Sequence, residues 1–137
     1  MRVVVDTNIL VSAMIKPRGN IGLILKHLRA GKYTLIYSEP MLTEIVDVLN
    51  RPRIRDKYGF EPGDIETFVA LLILRGKVVV PKRRIAVCRD PKDNMILEAA
   101  VDGNADKIVS GDNDLLSLKE IEDIPILKPA HFVAENE

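Results

Sequence analysis

A single cysteine, Cys88, is all the thiol chemistry this sequence contains. One thiol excludes an internal disulfide and any zinc-finger framework, and it suits a reducing compartment. With no histidine beside it, Cys88 gives no sign of an activated nucleophile either. Tryptophan is absent, and three tyrosines and three phenylalanines are the whole aromatic complement. Reading unpaired bases by stacking on rings is therefore a minor expectation. Only two histidines occur, His27 and His131, so a ribonuclease built on paired imidazoles is unsupported. His27 falls in the apolar helical run Leu23–Leu28, where a structural role is expected. No apolar run approaches the roughly 18 residues of a membrane span, and no membrane association is expected. The opening MRVVVDTNIL lacks the apolar stretch and cleavage site of a signal peptide, so a cytoplasmic location is the expectation. Net charge is missing too, twenty basic residues balancing twenty acidic ones. That says little about a nucleic-acid partner, because the distribution of charge matters more than its sum.

What is present is the composition of a globular domain, 47% hydrophobic and 29% charged. The length of 137 residues predicts one domain, 1–137, able to hide roughly two-thirds of its unfolded surface. Short β-branched runs alternate with helical patterns. Arg2-Val3-Val4-Val5 ends at Asp6 and turns directly into a helical pattern, as a buried parallel strand does. Further strands are predicted at Tyr33–Tyr37, Lys77–Val80, Lys107–Ser110 and Pro125–Lys128. Helices are predicted at Asn8–Ile15, Asn20–Ala30, Glu39–Asn50, Asp64–Arg75 and Asp90–Val101, with a turn or two at Asn113–Leu118. Between Arg53 and Gly63 the pattern suits a short helix and loop. The alternation implies an α/β fold, a mainly parallel sheet with helices on both faces.

In such sheets ligands bind beyond the carboxyl ends of the strands. Asp6, Ser38 and Ser110-Gly111-Asp112 each follow a strand and so reach one edge. Glu44 shares a helix face with Met41 and Val48, and Asp93 shares one with Ile96, Leu97 and Ala100. A carboxylate on an inward stripe is costly unless a cation compensates it. Two unit charges about 5 Å apart repel by roughly 3 kcal/mol at an effective dielectric near 20. An all-carboxylate set selects hard cations, Mg²⁺ or Mn²⁺, over zinc. Structural roles compete with this one. Asp6, Asp90 and Asp112 each precede a helix that they could cap, Asp93 is a first-turn acid suited to the helix dipole, and the Glu44 stem could simply pack.

In order along the chain, Asp6-Thr7-Asn8, Ser38 with Glu44, Asp90-Pro91-Lys92-Asp93-Asn94 and Ser110-Gly111-Asp112-Asn113-Asp114 resemble the PIN-domain nucleases. More narrowly they resemble the VapC-like toxins of prokaryotic toxin–antitoxin modules. The resemblance implies a three-layer α/β/α sandwich and hydrolysis of single-stranded RNA supported by one or two Mg²⁺ or Mn²⁺ ions. Its acidic quartet falls on Asp6, Glu44, Asp93 and Asp112, with Asp114 as an auxiliary metal ligand. Asn8, Ser38, Asn94 and Ser110 match the supporting polar residues, and Asp90 competes with Asp93 or serves as a cap. The resemblance also implies an antitoxin partner and homodimerisation, for which the apolar helix Ile65–Leu74 is a candidate surface with core packing as its competing role.

Four carboxylates and paired divalent ions suit an in-line displacement in which a water attacks and the 3′-oxygen leaves. RNA must then be gripped through its phosphates. Arg51, Arg53 and Arg55 with Lys57, Lys16 with Arg18, and Lys82–Arg84 are the basic groups at hand, each also readable as a solvated loop. Two other function classes compete. An aspartate-nucleophile phosphatase usually carries a second acid two residues after the first, where Asn8 stands. A non-enzymatic PIN-like module binding RNA or protein would have lost an acidic position, and none is lost. No glycine-rich turn follows the first strand, which excludes a dinucleotide-binding fold.

Overall fold

The computed structural model describes residues 1–136. The order is β1 (Arg2–Val5), α1 (Thr7–Ile15), α2 (Gly19–Arg29), β2 (Thr34–Tyr37), α3 (Glu39–Leu49), α4 (Pro52–Tyr58), α5 (Pro62–Arg75) and β3 (Gly76–Val78), followed by α6 (Pro91–Asp102), β4 (Lys107–Val109), α7 (Asn113–Leu116), β5 (Glu120–Ile121), β6 (Ile124–Leu127) and α8 (Pro129–Glu135). The sheet runs β3-β2-β1-β4-β6-β5, parallel throughout except for the β5–β6 pair. Its centre is β1, where Val3, Val4 and Val5 have no solvent exposure. Burying such a side chain contributes about 1.5–3 kcal/mol.

The topology decides where a site can form. From β1 the chain crosses through α1 and α2 to β2 and then outward to β3. It returns through α6 to β4 on the other side of β1. Right-handed crossovers in opposite directions place the connecting helices on opposite faces, giving the three-layer sandwich. The two strands whose connections diverge are β1 and β4, which pair along Val3–Lys107, Val4–Ile108 and Val5–Val109. Beyond their carboxyl ends lies the crevice that such a switch point opens. Asp6 follows β1 there, and Ser110-Gly111-Asp112 follows β4.

Three features depart from the expectations. The chain after α7 forms a hairpin, β5 and β6 joined by Glu122 and Asp123, both left-handed at φ 45° and 68°. The backbone is that of a primed two-residue turn, but without the glycine or asparagine that usually marks one. After β6, α8 docks Phe132 edge-on against Tyr33, with ring centroids 5.4 Å apart. Tyr33 in turn donates its hydroxyl hydrogen to the Ile24 carbonyl at 2.9 Å. The third strand is shifted too, beginning at Gly76 and ending at Val78 rather than spanning Lys77–Val80. Along α5, Ile65, Phe68 and Leu72 are core residues, whereas Ile73 and Leu74 are 50% and 74% exposed. Among the described residues, no helix is long and apolar enough to cross a membrane.

Candidate functional site

Asp6 is buried at the junction of β1 and α1. One carboxylate oxygen accepts the Asn8 amide at 3.1 Å and caps α1, while the other accepts the Ser110 hydroxyl at 2.8 Å. Ser110, fully buried at the end of β4, uses the same hydroxyl oxygen to accept the Asp112 amide at 3.0 Å. This serine thus ties the first and last acids of the set together. Asp112 caps α7, its Oδ1 accepting the Asp114 and Leu115 amides at 2.7 and 3.3 Å. Capping occupies one oxygen of each aspartate, so a cap and a metal ligand are compatible roles.

Asp93 lies in the first turn of α6 and is 8% exposed, whereas Asp90 is exposed and caps that helix by accepting the Lys92 amide at 2.9 Å. Carboxylate oxygens of Asp93, Asp112 and Asp114 all lie within 4.8 Å of one another. Glu44 reaches toward the group from α3. Its Oε2 accepts the Thr7 hydroxyl at 3.3 Å, and its Oε1 pairs with the Lys92 ammonium at 3.4 Å. Asp114 pairs with Arg89 at 3.2 Å. Burial raises the Asp6 carboxyl above its ordinary range, and Asp112 and Glu44 add to the rise against the lowering by its Ser110 and Asn8 hydrogen bonds. Burial likewise pushes Asp93 up to about 6, assisted by the charges of Asp112, Asp90, Asp6 and Asp114. Five acids from two strand ends and two helix faces therefore share one field.

The polar neighbours act on the backbone. Ser38, fully buried, caps the Glu44 helix by accepting the Met41 amide at 3.4 Å. Asn94 clamps the loop ahead of α6, accepting the Cys88 amide at 2.8 Å and donating to the Cys88 carbonyl at 3.0 Å. Asn8 is exposed and lines a cleft with Asp6, Ile9, Ser12, Gly111 and Asp112. A second cleft, between α3 and α6, is walled by Glu44, Asp47 and Glu39 with Arg51 and Lys92, over Pro40, Val48 and Met95. Of the three arginines expected to grip RNA, Arg51 therefore sits beside Glu44, while Arg53 and Arg55 are carried on α4. The Lys82–Arg84 run is engaged elsewhere, since Arg83 pairs with Asp102 at 3.3 Å and Glu122 at 3.0 Å. His27 is buried within α2, the structural position expected for it.

Thr7, Arg89 and Lys92 touch the acids without having been singled out from the sequence. Thr7 and Lys92 stand inside the very motifs that carry the acids, and that adjacency was the available signal.

The donors available to a metal are carboxylate oxygens, the ligands of a hard divalent cation. Cys88 does not compete as a soft ligand, because burial and then the charges of Asp93, Asp114, Asp112 and Asp90 push its thiol up, away from thiolate. The residues present fit Mg²⁺ or Mn²⁺.

A family model described as a PIN domain matches residues 2–114. An uncharacterized protein of Methanocaldococcus jannaschii is 32% identical over 120 residues, covering 88% of this chain and 76% of that protein. Among solved structures, VapBC2 from Rickettsia felis, bound to a DNA fragment from its promoter, superposes with a TM-score of 0.62 at 15% identity. That match covers 93% of this chain and 98% of the other, and at such low identity it speaks for the fold.

Proposed function

The chain belongs to the PIN-domain family, and from that premise we propose that it is a metal-dependent endoribonuclease acting on single-stranded RNA. The observation that carries this reading is the group of Asp93, Asp112 and Asp114, its carboxylate oxygens within 4.8 Å of one another, beside the buried Asp6. Asp6, Glu44, Asp93 and Asp112 are the catalytic acids, Asp114 an additional ligand, and these five would hold one or two Mg²⁺ or Mn²⁺ ions. A bound ion supplies an activated water and charge to steady the leaving oxygen. The chain itself does the rest. Ser110 fixes Asp6 and Asp112 relative to one another, Thr7 orients Glu44, and Asn94 holds the loop from which α6 starts. Such restraint keeps the carboxylates in place before a cation arrives, which lowers the cost of assembling them. Arg51, beside Glu44, with Arg53 and Arg55 on the following helix, grips the RNA backbone.

The raised proton affinities agree with the reading. A site that pushes Asp6 and Asp93 up by burial and by like charge pays that cost in the metal-free protein and recovers it when a cation binds. Within a toxin–antitoxin module, this activity would be held in check by a protein partner occupying the acidic crevice. Purified protein incubated with labelled single-stranded RNA and Mn²⁺ should yield products with 5′-phosphate and 3′-hydroxyl ends, and none in excess EDTA. Cleavage that persists in EDTA, or products ending in 2′,3′-cyclic phosphate, would overturn the proposal.

A further inference from the structure

Of the five acids, the outer two carry cations. Lys92 sits 3.4 Å from Glu44 Oε1, and Arg89 sits 3.2 Å from both carboxylate oxygens of Asp114. Among the described residues, no ion pair engages Asp6, Asp93 or Asp112. Both cations come from four consecutive residues, 89–92, at the entry to α6. The backbone there is fixed twice, by the Asn94 clamp on Cys88 and by the Asp90 cap on the Lys92 amide. The side chains are not: that of Arg89 is 89% exposed and that of Lys92 61%. A backbone held at two points thus presents two long, solvated cations, one to Asp114 and one to Glu44.

The Arg89–Asp114 pair is exposed on both sides and contributes at most about 1 kcal/mol, while in the Glu44–Lys92 pair the carboxylate is largely covered but the ammonium stays in solvent. Each is cheap to exchange. A divalent ion taking Glu44 or Asp114 would bring twice the charge of the side-chain cation paired there. The freed guanidinium and ammonium would then be open to a phosphate, which a guanidinium in particular matches with two parallel hydrogen bonds.

We propose that Arg89 and Lys92 are phosphate-gripping residues held in reserve, which neutralise Asp114 and Glu44 in the metal-free protein and pass to the backbone of single-stranded RNA once a divalent cation takes those acids. This rests on the endoribonuclease reading and adds two residues to it. Nothing in the pairing requires a change of fold, only of partner.

The test is made on the full chain with Arg89→Gln, Lys92→Met and the double variant. Calorimetric titration with Mn²⁺ should show each single variant binding the ion about threefold tighter than wild type, because a competing cation is gone. Binding of a phosphorothioate single-stranded RNA in Mn²⁺, followed across a salt series, should lose about 0.7 from the slope of log K against log salt for each phosphate contact removed. Unchanged or weaker Mn²⁺ affinity in the variants, or an unchanged slope, would overturn the inference. If wild type binds no Mn²⁺ at all, the endoribonuclease reading falls with it. If wild type binds and the variants do not differ, this inference alone falls.

Discussion

At Asp6, one carboxylate oxygen caps α1 through the Asn8 amide and the other takes the Ser110 hydroxyl, yet the group still sits above its ordinary proton affinity. Two hydrogen bonds to the charged form do not offset burial and the fields of Asp112 and Glu44. Asp93 is in the same position, pushed up to about 6. Linkage turns these shifts into a prediction. An acid whose folded-state affinity for a proton exceeds its unfolded one near 3.9 binds more protons in the folded state between those values, so stability falls as pH rises through that window. The metal-free protein should therefore melt higher at pH 5 than at pH 7. Asp102 shifts the opposite way, lowered by the Arg83 and Lys82 amides, but its effect lies below pH 4 and outside the comparison. Asp93→Asn should flatten the trend. With Mn²⁺ present the sign reverses, because the ion needs deprotonated ligands and gains affinity as pH rises past about 6. Melts in EDTA that rise from pH 5 to pH 7 would show that the shifts belong to no compressed acidic cluster.

Among the elements, α6 is seated tightly at its C-terminal end. Its C-cap, Gly103, brings backbone against the sheet so closely that a Cβ there would meet Ile36 Cγ2 at 2.5 Å and the Ala99 carbonyl oxygen at 2.6 Å. The Gly103 carbonyl also accepts the Arg2 guanidinium at 2.9 and 2.6 Å, pinning the helix end to β1. Gly103→Ala should cost about 1–3 kcal/mol through overpacking, read as a lower midpoint in urea with an unchanged slope. A variant as stable as wild type would mean that the helix end yields without cost. The same helix shows what the sequence makes legible. The stripe Asp93, Ile96, Leu97, Ala100 is written in its periodicity, and all four are buried. The acids at the ends of β1 and β4 are equally legible, because a β-branched run stopping at an acid is a local signal. Partnerships between elements are not. That Lys92 lies against Glu44, forty-eight positions earlier, or that Asn94 reaches back to Cys88, depends on how helices cross and leaves no local mark. The β5–β6 hairpin was hidden for a different reason. Glu122 and Asp123 adopt left-handed backbone without the glycine that would announce it. The short α8 likewise offers only Phe132 and Val133 as an apolar pattern.

At the scale of the whole molecule, the site is where the sheet changes direction, and its acids come from β1, α3, α6 and the β4–α7 turn. Segments far apart in sequence meet only in the folded state, so a cation that needs all of them binds no unfolded chain with comparable affinity. Such a ligand stabilises the protein by RT ln(1 + [L]/Kd), about 2.7 kcal/mol at a hundredfold excess over Kd. Without the ion, the same convergence stores repulsion among Asp6, Glu44, Asp93 and Asp112. Asp6→Asn removes one charge while keeping the cap, since Asn caps a helix nearly as well as Asp. Its amide can turn Nδ2 toward the Ser110 oxygen, which keeps a hydrogen bond there with its direction reversed, and the relief of charge repulsion must outweigh the acceptor that the Ser110 hydroxyl loses. The variant should melt at least as high as wild type in EDTA, gain less than wild type on adding Mn²⁺, and cleave no RNA. If Asp6 did no more than hold α1, the Asn variant would keep both its activity and the full metal response. Melts of the two proteins in EDTA and in Mn²⁺, beside one cleavage assay, separate a buried acid kept for a cation from one kept for a cap, and an active Asp6→Asn protein would decide for the cap.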